Sequence, residues 1–198
     1  MENIGVKVIS CSFNDLLNTY RDAIPNSDIK GQLSIPEYQR PYVWKEKQIN
    51  RLLNDFIEYH QNTDSDKALF YIGSIIVHQD QGQLKIIDGQ QRITTLLLIN
   101  SIVNNEFKSG VQYTSTSSIN NIKRNYAYLR KIQSKDVFDY ADTEVLNYIE
   151  FDKINLTLVV TKTEDLAYTF FETQNTGGVR LSGSDIIKAH HLRAINSK

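Results

Sequence analysis

Residues 45–60 carry the clearest amphipathic pattern in the chain. Ile49, Leu52, Leu53, Phe56 and Ile57 recur at helical spacing with charged residues opposite, so one face of a helix there packs on a core. A shorter helix is expected over Phe13–Ala23, opened by Ser12 and carrying Phe13, Leu16, Leu17 and Tyr20 on one face. Gln32–Ile35 reads as a short strand that stops at Pro36. Leu69–His78 and Leu84–Ile87 read as strands joined by the turn Gln79–Gly82. The first is apolar on both alternations, which places it in the middle of a sheet covered on both faces. A helix over 90–107 is apolar nearly all round in its first half and is therefore expected to be buried.

After a polar loop, Gly110–Ser118, two more helices are expected at 119–132 and 142–150, with Tyr126, Tyr128, Tyr140 and Tyr148 forming a tyrosine-rich face. A strand at Ile154–Val160 follows. A helix over Glu164–Gln174 bears Phe170 and Phe171 and ends at Asn175 and Gly177. Ser182, with Asp185 three residues on, opens a last helix. Strands alternating with helices make this an α/β or α+β domain, a small mixed sheet flanked by helices. Residues 111–150 read as a helical insertion in it. The final helical pattern carries no Gly or Pro stop, the expectation for the N-terminal piece of a longer protein.

Composition narrows the function classes. At 198 residues the chain is long enough for one domain with a sizeable core. Its 22 Lys+Arg stand against 23 Asp+Glu, which excludes nucleic-acid binding through bulk charge but not through a local basic groove. The single cysteine, Cys11, excludes an internal disulfide framework and a cysteine zinc site. Met1–Ser10 has no signal-peptide pattern, and no apolar run approaches a membrane span; the expectation is a cytoplasmic protein with no membrane partner. His60 ends a helix, His78 closes a strand, and the adjacent His190 and His191 diverge on theirs, which argues against a shared metal.

Candidate chemistry gathers at Ile86-Ile-Asp-Gly-Gln-Gln-Arg-Ile-Thr-Thr-Leu96. A strand stops at Asp88, turns on Gly89, and enters a helix with Gln90, Gln91 and Arg92 in its first turn. Glycine lets a ligand approach the backbone, a helix start offers unpaired N–H groups, and arginine holds an oxyanion with two bonds. These parts describe a phosphate cradle. The same residues also fit a plain capping box, with Asp88 bonding backbone N–H groups and Gln91 reaching back.

Two further motifs accompany this loop: Ile35-Pro-Glu-Tyr-Gln-Arg-Pro-Tyr-Val-Trp44 and Phe171-Glu-Thr-Gln-Asn-Thr-Gly-Gly-Val-Arg-Leu181. With Tyr71 and Gly73 in Tyr-Ile-Gly-Ser-Ile-Ile, the set resembles the N-terminal domain of the GmrSD-type restriction proteins, a large bacterial family, over about the whole chain. The fold that resemblance implies is ParB/sulfiredoxin-like. It implies nucleotide binding and hydrolysis in defence against foreign, often modified, DNA, with the Asp-Gly-Gln-Gln-Arg loop resembling the ParB phosphate-binding turn. In such proteins a C-terminal HNH-type nuclease domain usually cuts the DNA. No such domain lies in these 198 residues.

Chemistry then assigns roles. Asp88 is the candidate to hold Mg²⁺ beside a triphosphate. Gln90 or Gln91 orients the attacking water, and Arg92 neutralises charge on the phosphate oxygens. Gln39 and Arg40 form a second polar clamp, against a plain surface ion pair for Arg40. Tyr38, Tyr42 and Trp44 stack a base or pack in the core. Asn175 caps its helix in the left-handed conformation or, with Glu172, touches the nucleotide. Lys188 reaches phosphate or is simply solvated. The candidate nucleotide-binding set is Tyr38, Gln39, Arg40, Gly89, Thr94, Glu172, Asn175, Gly178 and Lys188.

No Gly-x-x-x-x-Gly-Lys-Ser/Thr run and no Gly-x-Gly-x-x-Gly fingerprint is present. The expected partners are a nucleoside triphosphate and DNA, bound directly or through a nuclease domain, with an oligomer open. A nucleotide- or DNA-sensing module without turnover is the alternative. A stand-alone nuclease ranks last.

Overall fold

The structure, a computed structural model, describes residues 5–62, 69–105, 111–134, 145–163, 165–167, 169 and 170. Five strands form one mixed sheet: β1 (Val6–Ser12), β2 (Gln32–Ser34), β3 (Phe70–Asp80), β4 (Gln83–Asp88) and β5 (Ile154–Thr161), in the order β1-β5-β3-β4-β2. β1 runs antiparallel to β5, β5 parallel to β3, β3 antiparallel to β4, and β4 parallel to β2. The fold is α+β.

Both faces of β3 are covered, as its apolar run implies. Ile75 and Val77 enter the main core, while Ile76 joins Ile87, Val159, Ala167 and Phe170 on the opposite side. The helices α1 (Phe13–Asn18), α2 (Glu46–Asn62), α3 (Gln90–Val103) and α4 (Thr116–Gln133) contribute to the main core through Phe13, Leu53, Leu96 and Leu129. Val145 and Leu146, from a single 3₁₀ turn at Val145–Tyr148, join the same core.

Ser12 and Asp15 form a reciprocal capping box at the start of α1, which satisfies two otherwise unpaired N–H groups. α1 ends at Asn18, five residues before the helical pattern does, because the Thr19 hydroxyl bonds the Leu16 carbonyl and competes with the ladder. Of the helix expected over 142–150, the described part, residues 145–150, holds only the 3₁₀ turn. β1 is absent from the hydrophobic pattern because Val6 and Val8 face the smaller cluster and Ile9 and Cys11 the main core, with polar residues between. Cys11 is buried, and burial, assisted by Asp15, pushes its thiol up to about 12; it is an inert packing residue.

Candidate functional site around the first turn of α3

α3 is buried over nearly its whole length, so it is fixed by packing on the sheet rather than by helix propensity. It opens on Gly89, whose backbone lies at φ +91. A side chain there would run into Ile75 as well as adopt a left-handed conformation. The capping-box reading does not hold among the described residues: Gly89 takes the cap position with no side-chain cap bond, and the first helical bond runs from the Ile93 N–H to the Gly89 carbonyl at 3.0 Å. Among the described residues, then, no side-chain cap closes the first turn of α3.

Two side chains then extend hydrogen-bond ladders that short strands leave incomplete. β2 ends at Ser34, opposite Lys85 of β4. Past that point the Gln39 carboxamide donates to the carbonyls of Ile86, at 3.2 Å, and Ile87. β4 in turn ends at Asp88, opposite Ile76 of β3. Past that point Arg92 donates to the carbonyls of Ile72 at 2.6 Å and Ser74 at 2.8 Å. β3 bulges here, one residue being inserted between Tyr71 and Ser74. Gly73, at φ +97, makes the room: a Cβ would stand 2.5 Å from Arg92 Nη1.

Arg92 is thus turned toward the sheet. Its Nη2 also lies 3.4 Å from Asp88 Oδ2, and each side chain is 28% exposed. Asp88 Oδ1 has no hydrogen-bond partner among the described residues.

Gln91 is 6% exposed. Its Oε1 accepts from the N–H groups of Val43 at 2.8 Å and Trp44 at 3.2 Å, and its Nε2 donates to the Pro41 carbonyl at 3.1 Å. These bonds tie residues 41–44 to the start of α3 and leave Gln91 no free acceptor for a water. Gln90 is different. It is 5% exposed and its Oε1 has no partner among the described residues.

Tyr42 is fully buried. Its hydroxyl meets Thr95 Oγ1 and the Asn125 amide, each at 2.9 Å. Ser118 and Asn121 of α4 hold its backbone N–H and carbonyl, so Tyr42 packs and stacks no base. Burial raises its phenol above the ordinary value, against the hydrogen bonds from Thr95 and Asn125. Thr94 is 1% exposed and pairs with the Tyr113 hydroxyl at 2.7 Å, inside the domain rather than at an open surface. Burial likewise raises the Tyr113 phenol, with the Thr94 bond opposing.

Arg40 and Tyr38 remain outside. Arg40 is exposed, its backbone N–H bonds Gln39 Oε1 at 3.2 Å, and its guanidinium has no partner among the described residues. The surface ion pair weighed for it is therefore not formed there. Tyr38 is 52% exposed. Trp44 is half-buried, and its carbonyl accepts from Asn125 at 2.8 Å. Glu172, Asn175, Gly178 and Lys188 lie outside the described residues.

The structure thus places Asp88, Gly89 and Gln90 at the start of α3 and Gln39, followed by the exposed Arg40, beside the end of β4, with Gln91 and Arg92 as braces. Sequence reasoning undervalued Gly73; its signal was a glycine inside an otherwise apolar strand. Tyr113, Ser118, Asn121 and Asn125 gave no local signal.

The architecture and this turn define a class: a mixed-sheet α+β domain in which an Asp-Gly-Gln-Gln-Arg turn joins an inner strand to a buried helix. The family model described as GmrSD restriction endonuclease, N-terminal domain, matches residues 14–192, and the chain belongs to that family. Membership gives it a restriction-type defence role. No curated protein matched the chain.

Proposed function

We propose that this domain binds a nucleoside triphosphate at the N-terminus of α3 and hydrolyses it, and that turnover controls a DNA-cleaving partner domain of the HNH type. The observation that carries the reading is the start of α3, which among the described residues has no side-chain cap and an unpartnered, buried Gln90 Oε1, with the segment that carries the exposed Arg40 tied beside it through Gln39 and Gln91. Unpaired N–H groups and the positive end of the helix dipole suit an anion. Arg40 adds the one form of cation that clamps phosphate oxygens in a planar fork.

Mg²⁺ fits this donor set. Asp88 offers one free carboxylate oxygen, and magnesium commonly takes one or two carboxylates with substrate phosphates completing its shell. When bound, the ion neutralises charge on the triphosphate. Among the described residues, no group of three or more His, Cys, Asp or Glu can hold a metal, so Asp88 would hold the ion together with the substrate's phosphates.

Arg92 holds Asp88 in place and closes the β3 bulge. Gln90 orients the attacking water through its free Oε1, a positioning role common in phosphoryl transfer. Gln39 fixes the segment that presents Arg40, and Tyr38 lies beside the base.

One observation favours a second reading, a sensor without turnover: Gln91 and Arg92 are both engaged with backbone groups, which leaves fewer side chains for chemistry. Phosphate release decides between them. The hydrolytic reading expects Mg²⁺-dependent release that is lost in folded Asp88→Ala and Gln90→Leu variants. Unchanged turnover in folded Asp88→Ala ends that reading, and tight nucleotide binding with no release selects the sensor.

A further inference from the structure

The charge of α4 is of one sign only. Its 18 residues include Lys123, Arg124, Arg130 and Lys131 and contain no Asp or Glu, in a chain whose overall charge is −1. Ser118, Asn125, Leu129 and Ile132 form its buried face. At 100° per residue the opposite arc carries Thr116, Asn120, Lys123, Ala127 and Arg130 down its centre, with Arg124 and Lys131 on one flank and Tyr126 on the other, all exposed. None of the four cations forms an ion pair among the described residues; Arg124 reaches only the Trp44 carbonyl at 3.4 Å and Arg130 only Gln133 at 2.9 Å.

We infer that this outer face of α4 docks on the phosphate backbone of duplex DNA. Every exposed side chain on it except Ala127 can donate a hydrogen bond to phosphate: hydroxyls, amides, ammonium and guanidinium groups are the standard phosphate contacts. The small Ala127 at the centre lets the helix approach a backbone closely. The face extends roughly 27 Å at 1.5 Å per residue, long enough to meet several phosphates on a rigid duplex.

A membrane is the wrong occupant, because an interfacial helix needs a broad apolar face, and α4 exposes only Tyr126 among its large apolar residues. A single strand fits poorly, because such binders offer successive aromatic platforms and one tyrosine is not a platform. The inference needs no nucleotide turnover. It does add a connection: Ser118, Asn121 and Asn125 on the inner face of α4 hold the backbone of Tyr42 and Trp44, the segment that runs past the start of α3.

The test is a fluorescence-anisotropy titration of a labelled duplex with the full 198-residue chain across a salt series, without nucleotide, so that failure of the hydrolysis reading leaves it untouched. Four phosphate contacts give a slope of log affinity against log salt near about −3.6, or roughly 150-fold between about 50 and 200 mM. Lys123→Gln with Arg130→Gln should flatten the slope by about 2 and weaken binding at least about 10-fold, uniformly across sequences. Lys30→Gln with Lys162→Gln, which removes the same charge elsewhere, should leave both unchanged.

Unaltered slope and affinity in the folded α4 double variant overturn the proposal. So does an absence of duplex binding at low salt. Equal α4-dependent binding of polyglutamate assigns the face to an acidic protein and overturns the duplex assignment, as does tighter binding of single-stranded DNA or of duplex RNA.

Discussion

Two arginines border the start of α3 and do opposite things. Arg92, inside the Asp-Gly-Gln-Gln-Arg turn, is folded onto the carbonyls of Ile72 and Ser74 and onto Asp88. Arg40, from the segment on the other side, is exposed with no partner among the described residues. The difference lies in the strands behind them. Where β4 ends, β3 leaves carbonyls that a planar, multi-donor side chain satisfies without water. Where β2 ends, Gln39 takes that task, and its neighbour Arg40 is left to the solvent. Position inside a motif therefore does not by itself make a residue a ligand; the residue with no structural duty is the better one.

Substitutions can break this contrast, and the largest effect is expected at Gly89. Gly89→Ala meets both a left-handed backbone and the Ile75 side chain, so it should cost about 2–4 kcal/mol. In thermal melts that is a fall of several degrees, at about 2–4 °C per kcal/mol for a chain of this length. An unchanged melting temperature would mean the turn relaxes freely.

Gln91→Ala comes next. It releases three hydrogen bonds that pin residues 41–44 and should destabilise by about 2–3 kcal/mol. Protection of the Val43 and Trp44 amides in hydrogen exchange should fall with it. Arg92→Lys keeps the charge but not the fork, and is expected to lose about 1–2 kcal/mol; full stability in that variant would show that the β3 carbonyls do not depend on Arg92. Tyr42→Phe removes a hydroxyl shared by Thr95 and Asn125 and should cost about 1 kcal/mol, with no change in nucleotide affinity. Arg40→Gln should leave stability within about 0.5 kcal/mol.

The sequence carried the long-range plan of the fold. The apolar run of β3 implied a strand covered on both faces, and the spacing of Ile49, Leu53 and Phe56 implied the buried stripe of α2. The Asp88–Gly89 break between β4 and α3 was also legible. Elements whose boundaries depend on side-chain competition were less so, as the early end of α1 at Thr19 shows.

Within the candidate site, residue types were legible and their duties were not. Gln90 and Gln91 are adjacent and chemically identical, yet among the described residues Gln91 is bonded three ways and Gln90 keeps an unpartnered oxygen. That distinction depends on where residues 41–44 run, a tertiary fact with no local signature. The same holds for Thr94, whose hydroxyl turns toward Tyr113, nineteen residues away. A capping box at Asp88 and Gln91 satisfies the sequence rule, but Gly89 takes the cap position and puts both side chains out of register with it.

Titration calorimetry of a non-hydrolysable nucleoside triphosphate with Mg²⁺, on wild type and on Arg40→Gln, tests the contrast most directly. Wild type should bind, and Arg40→Gln should melt at the wild-type temperature while losing about tenfold or more in affinity, the equivalent of about 1.4 kcal/mol. Wild-type affinity in Arg40→Gln would contradict the account and return the phosphate-binding role to Arg92.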